Sequence, residues 1–258
     1  MPIEAISRTR KSASSTLDLP PPFRLVPLRE TGDAFAHART IAAEEGAGAL
    51  IRVGRFDVVE FAVVLEPEEP LRLARRAFYA GVVALMNALA GSAPPQRPIS
   101  LVWPDAIHID GLLIGGARLA WPPQSDEEDA PERLVFGAML RRVAMAERKM
   151  QQGEESSLSF AASLEDQGFE EPGSDRLVES FARHLMAIID AWQANGFEIV
   201  AQNYLTYLMR EKSAWPTIDG NGDLMLRWIG KEQPDRHSLA QALEQPTWLD
   251  PATGGPRG

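Results

Sequence analysis

Residues 101–121 read LVWPDAIHIDGLLIGGARLAW. Two short apolar runs, 100–109 and 112–121, meet at Asp110-Gly111. That turn pair predicts a tight antiparallel hairpin in the middle of the chain. The second run carries Gly115 and Gly116 side by side. Glycine inside a strand weakens the sheet, and it marks either close packing or the approach of another group to the backbone. Both readings stand for this pair. Ahead of the turn sit Trp103, a core candidate placed by Pro104, and Asp105, which reads as a turn or capping residue or as an acceptor in a site.

Around this hairpin the chain alternates helical and strand-like stretches. Residues 1–22 end in LPPP and read as an extended arm. Thr31 and Asp33 precede AFAHARTIAAEE, an N-cap and a helix. Residues 46–56 and 57–67 form two strands paired through a turn near Gly54-Arg55. Apolar residues at three-and-four spacing predict an amphipathic helix over 70–91. Residues 122–132 are an acidic, proline-bounded loop, and 133–146 suit a buried strand as well as a helix. Residues 147–157 read as a loop, 174–196 as a long helix ended by Asn195-Gly196, and EIVAQNYLTYLMREK as a short one. A hairpin over 216–228 turns at Asn221-Gly222, and the Pro/Gly-rich tail after Trp248 reads as frayed.

The order predicts an α+β fold, with a mixed, largely antiparallel sheet backed by helices and a small C-terminal β appendage. It divides as an arm (1–22), a main domain (23–212) and a C-terminal module with tail (213–258).

Composition removes several chemistries. The net charge of −10 argues against nucleic acid as a partner. The chain has no cysteine, so thiolate catalysis and disulfides are excluded. The longest apolar stretch, AGVVALMNALAG, is too short to span a bilayer, and the first residues lack the apolar core of a secretory signal. A cytoplasmic protein without membrane attachment is expected. The four histidines are scattered, and DGNGD lacks the Gly and Glu of a calcium loop, so no metal site is expected. The basic residues are 22 Arg and only four Lys: Lys11, Lys149, Lys212 and Lys231.

WPDAIHIDGLLIGGARL resembles the K-W-P-N-D…K-x-x-G segment of biotin protein ligases and lipoate ligases. The flanking order is similar too. Thr31 and its helix stand where that family has a Ser/Thr-Asn start, and GALIRVGRFDVVEFAVVLEP stands where its ligand loop and next strand belong. LVFGAML resembles the V-I-G-x-G-I-N strand, and SLEDQG with helix 174–196 resembles the closing segment. The resemblance covers roughly 24–210. It implies a pocket for a biotin- or lipoate-like acid and ATP with Mg²⁺, where acyl-adenylate forms before transfer to a lysine of a carrier domain. On it, the ligand-binding candidates are Arg52, Gly54, Arg55, Trp103, Asp105, Gly115, Gly116 and Arg141.

The departures are chemical. Val102 stands for the Lys before Trp-Pro, Asp105 for the Asn after it, and Ala106 for the next Asp. Leu112 falls where the catalytic Lys belongs, Met139 replaces the second Gly of the later strand, and Arg141 its Asn. No lysine lies between Lys11 and Lys149. Losing one preorganised cation slows anion-handling chemistry by about 10²–10³-fold. Arg52, Arg55, Arg118 and Arg141 are the arginines placed to stand in, but a guanidinium does not copy a compact ammonium. Three readings stay open. One is a pocket-bearing, non-catalytic or altered-activity binder of a carboxylic acid, an adenylate or a carrier domain. The others are an active ligase or acyltransferase using Arg for Lys, and a structural or regulatory homodimer with a vestigial pocket.

Overall fold

The computed structural model describes residues 17–144, 162–169 and 174–258. The stretch 147–157, read as a loop, lies outside the described residues, as does most of the arm. A seven-stranded sheet forms the frame, from β1 (Arg24–Leu28), β2 (Ala49–Val53), β3 (Val58–Leu65), β4 (Ile99–Val102), β5 (Ala106–Ile109), β6 (Leu112–Ala120) and β7 (Leu134–Arg141). Its order is β1-β2-β3-β7-β6-β5-β4. Only β1 and β2 run parallel; the remaining neighbours are antiparallel. The helices are α1 (Ala34–Glu45), α2 (Leu71–Ala74), α3 (Ala77–Ala90), α4 (Ser174–Asn195), α5 (Glu198–Tyr207) and α6 (Leu239–Glu244). A second sheet, β8 (Ala214–Ile218), β9 (Leu224–Trp228) and β10 (Asp235–His237), is antiparallel throughout. The mixed sheet with a small C-terminal β unit is the architecture the sequence predicts. Among the described residues no helix is long and apolar enough to cross a membrane.

The period of two along β3 and β7 sorts their side chains between two faces. Val59, Phe61 and Val63, with Phe136, Ala138 and Leu140, face the large core shared with α3 and α4. Ala62, Val64 and Val135 face α1 through Ala34, Phe35, Ala38 and Ala42. Toward the other end of that second face, Val58 and Met139 meet Ala106 and Trp248 in a small cluster of their own. Both central strands are therefore buried on two sides, which is why LVFGAML shows no alternation. It is a strand, settling the open choice at 133–146.

Four local expectations change. The run 100–109 is two strands, because Pro104 has no N–H to extend a ladder; Leu101 pairs back on Ile107 instead. The helix over 70–91 breaks at Arg75-Arg76, where Phe78 and Tyr79 bond three residues back. Beyond the break α3 is buried almost all round, so its apolar residues form no single stripe. The end of the arm is docked: the Asp18 amide donates to Glu179 and Arg183 pairs with the Asp18 carboxylate. The tail after Trp248 is not frayed, since Trp248 has no exposed surface and Leu249 bridges Pro256. The C-terminal sheet is separate, yet Ile218, Leu224, Leu239 and Leu243 join the large core.

Candidate ligand pocket

Asp33 caps α1 by accepting the Ala36 amide at 2.8 Å. One residue on, the Ala34 N–H donates to Glu60 Oε1 at 2.7 Å. Glu60 is a lone charge in the apolar strand β3, its side chain 1 % exposed, and its Oε2 has no hydrogen-bond partner. Burial raises its carboxyl above the ordinary range, partly offset by the Ala34 amide. Arg118, projecting from β6, stands 3.6 Å from Asp33 and lies over the Phe35 ring at 4.3 Å. Arg55, beyond β2, grips Asp57 with two N–H groups and stands 3.9 Å from Glu60. Charge thus alternates around the start of α1: Arg55, Glu60, Arg118, Asp33.

Trp248 lies beside this row. The Arg118 guanidinium is 6.0 Å from its ring, and its indole Nε1 donates to the Ala117 carbonyl at 3.1 Å. Gly116 makes room for it: a Cβ there would overlap both the indole and the Asp105 carbonyl. Asp105 is only 2 % exposed and accepts two hydrogen bonds from Thr247, 2.6 Å from the hydroxyl and 3.0 Å from the amide. Burial pushes the Asp105 carboxyl up to about 6 even against those donors. Arg141, at the end of β7, donates to the carbonyls of Pro256 at 2.6 Å and Arg257 at 3.0 Å. It also donates to Ala162 at 3.0 Å.

The structure therefore brings Asp105, Gly116 and Arg141 together around the C-terminal segment, with Arg55 at the edge of the adjoining charged row. The other candidates lie apart. Arg52 alternates onto the α4 face and pairs with Asp175. Trp103 donates to the Tyr79 hydroxyl at 3.0 Å and faces His237 of the C-terminal sheet. Gly115 is a packing glycine, because a Cβ would strike the Met139 backbone of the neighbouring strand. The Gly54 amide bonds the Leu28 carbonyl at 3.3 Å, with ample room at its Cα.

Residues that sequence reasoning did not select include Glu60, Thr247 and Trp248. Glu60 carried a signal, a single carboxylate inside VVEFAVV; Thr247 and Trp248 carried none that local pattern reports. Open hollows lie elsewhere, one of about 360 Å³ lined by Val59, Leu89, Phe169 and Leu177 on the helical side. Another lies between β4 and the C-terminal sheet, near Trp103 and Met209.

A profile described as the Biotin/lipoate A/B protein ligase family matches residues 19–206, well over half of the chain. The chain belongs to this family. Among solved structures, a biotin protein ligase-like protein of unknown function from Silicibacter sp. TM1040 superposes with a TM-score of 0.73 at 25% identity. That match covers 89% of this chain and 100% of the other. Biotin protein ligase from Aquifex aeolicus follows at 0.60 and 11% identity, covering 83% of this chain and 95% of that one. The Leishmania major biotin protein ligase with bound biotinyl-5-AMP gives 0.51 at 14% identity, covering 85% and 99%. The last two likenesses establish the fold alone. No curated protein matches the chain in sequence.

This biotin/lipoate ligase family member surrounds the site with arginines and carboxylates. Its two described lysines are remote: Lys212 is exposed just before β8, and Lys231 pairs with Asp235. Arg55, Arg118 and Arg141 each face a carboxylate or carbonyls, and Arg39 adds a further positive charge near Arg118. Among the described residues no three His, Asp or Glu side chains are grouped to hold a metal ion.

Proposed function

We propose that this family member binds a carboxylic acid, its adenylate or a carrier domain without catalysing the ligase reaction. The observation that carries the reading is the charge arrangement. Attack of a carboxylate on a phosphate brings two anions together and needs converging cations. Here Arg55 is neutralised by Asp57 and Arg118 faces Asp33, while Asp105 puts a further carboxyl into the pocket. A guanidinium held in two hydrogen bonds by a carboxylate is a poor donor to a third anion. The apolar walls built by Val58, Ala106 and Met139 suit a compact hydrophobic group, the place that the Trp248 ring fills in this structure.

The deciding assay is ATP–pyrophosphate exchange by the full chain with biotin, lipoate or octanoate, run beside thermal melts. Ligand-dependent stabilisation without exchange is the expected result. Robust exchange would establish an active ligase with arginine in place of lysine. Neither response would leave a structural role.

A further inference from the structure

Trp248 is an odd core residue. It lies in an irregular tail that joins no helix or named strand and is closed on itself by the bridge between Leu249 and Pro256. It also packs in a small cluster distinct from both main cores, against walls supplied by β3, β5 and β7. Its surroundings are those of a bound molecule. A flat bicyclic ring rests on a glycine, donates one N–H to a strand carbonyl and lies near a guanidinium. The flanking residues complete the likeness. Thr247 gives two donors to the buried Asp105, and the far end of the tail places two carbonyls on Arg141.

We infer that the segment from Pro246 to Arg257 is an internal occupant of the pocket, with Trp248 in the place of a ligand ring, and that an external ligand binds by displacing it. This rests on the reading of the pocket as a ligand site. The contacts of Trp248 fit a competitor that is a compact ring with an N–H donor, and the resemblance to biotin and lipoate ligases implies that such a ring carries an acid on a side arm. The ring takes the indole position and bonds the Ala117 carbonyl. The acid reaches toward Arg141, which the tail contacts through the carbonyls of Pro256 and Arg257. Asp105 then loses the Thr247 donors. Burial already raises its carboxyl and the Thr247 donors hold it down, so their loss raises it further and favours uptake of a proton.

Displacement predicts a measurable handicap. When only a fraction of molecules is open, apparent affinity falls by that fraction. Biotin serves as the ring acid with N–H groups, and octanoate as a linear acid with neither ring nor N–H. The first measurement is hydrogen exchange by NMR on the unaltered chain, followed at the Trp248 indole N–H and the Thr247 amide. The second is biotin binding to the unaltered chain and to Trp248→Ala. The expected result is faster exchange at both protons with biotin and no change with octanoate, and biotin binding to the variant at least about tenfold tighter.

Biotin binding equally to both proteins, with both protons still protected, overturns the internal occupant and leaves the ligand reading intact. No biotin binding by either, with the variant folded by circular dichroism, overturns both. Equal release by octanoate overturns the assignment of a ring ligand. Should Trp248→Ala fail to fold, the exchange measurement on the unaltered chain decides alone.

Discussion

The indole N–H of Trp248 donates to the carbonyl of Ala117 across 131 residues of chain. The bond ties the tail to the second strand of the central hairpin. Trp248→Phe keeps a ring there and removes the donor, leaving a buried carbonyl short of one partner. A loss of about 1–2 kcal/mol is expected in urea unfolding. Exposure of the tail to limited proteolysis should rise with it.

Gly115 and Gly116 are adjacent and answer to different neighbours. A Cβ at 115 meets the Met139 backbone, which cannot give. A Cβ at 116 meets the Asp105 backbone carbonyl as closely, and the Trp248 ring as well. Gly115→Ala and Gly116→Ala should each cost about 1–3 kcal/mol or above. Only Gly116→Ala should speed exchange at the Trp248 indole. Faster indole exchange in Gly115→Ala alone would show that the ring does not rest on Gly116.

Asp105 sets a pH dependence. Its carboxyl stands near 6 in the fold against an ordinary 3.8, so the fold favours the protonated form. That contribution is whole below about pH 4 and is lost as pH rises through about 6, on the order of 3 kcal/mol at full ionisation. Asp105→Asn keeps the shape and does not ionise. Between pH 4.5 and 7.5, roughly the window that brackets this titration, the stability difference between variant and parent should grow in favour of the variant. A constant difference would sink the assignment.

Glu60 offers a sharper pair of variants. Glu60→Ala removes the acceptor of the Ala34 amide and should cost about 1–3 kcal/mol. Glu60→Gln keeps that acceptor and removes a carboxyl whose burial penalises its charge. It should be close to neutral at pH 7, and relatively less favourable in acid, where the parent is protonated and the penalty vanishes. Chemical denaturation at pH 5 and 7 reads both effects.

Tyr79 joins the main sheet to the C-terminal one. Its hydroxyl donates to the Gly222 carbonyl at 2.6 Å and accepts from Trp103 at 3.0 Å, while Arg76 reaches the Gly220 carbonyl at 2.9 Å. Tyr79→Phe takes this partner from the buried Gly222 carbonyl and the part-buried Trp103 indole and should cost about 2 kcal/mol. Amides of β9 should then exchange before those of β7, whereas uniform loss of protection would mean that the C-terminal sheet does not open by itself.

Much of this protein was legible locally. The hairpin turn at Asp110-Gly111, the strand glycines and the helix over 174–196 all follow from periods and turn chemistry that act over a few residues. The family was legible because several such segments occur in one order. The candidate site was legible in part. Asp105, Gly116 and Arg141 all border the C-terminal segment, since strand order brings β5, β6 and β7 side by side. Arg52 and Trp103 fall on the other side because alternation and the Pro104 turn send their side chains there.

What the amino-acid sequence determined alone was an inventory and a set of local geometries: no cysteine, no lysine between Lys11 and Lys149, and strands and helices in a fixed succession. Tertiary structure decided which groups face one another. Pro and Gly in the last residues describe backbone preference and say nothing of a cavity more than a hundred residues upstream. The tail is ordered because Trp248 meets Gly116, Thr247 meets Asp105, and Arg141 meets two carbonyls. Burial of an indole and satisfaction of buried polar groups are long-range terms, and they exist only once the sheet has assembled.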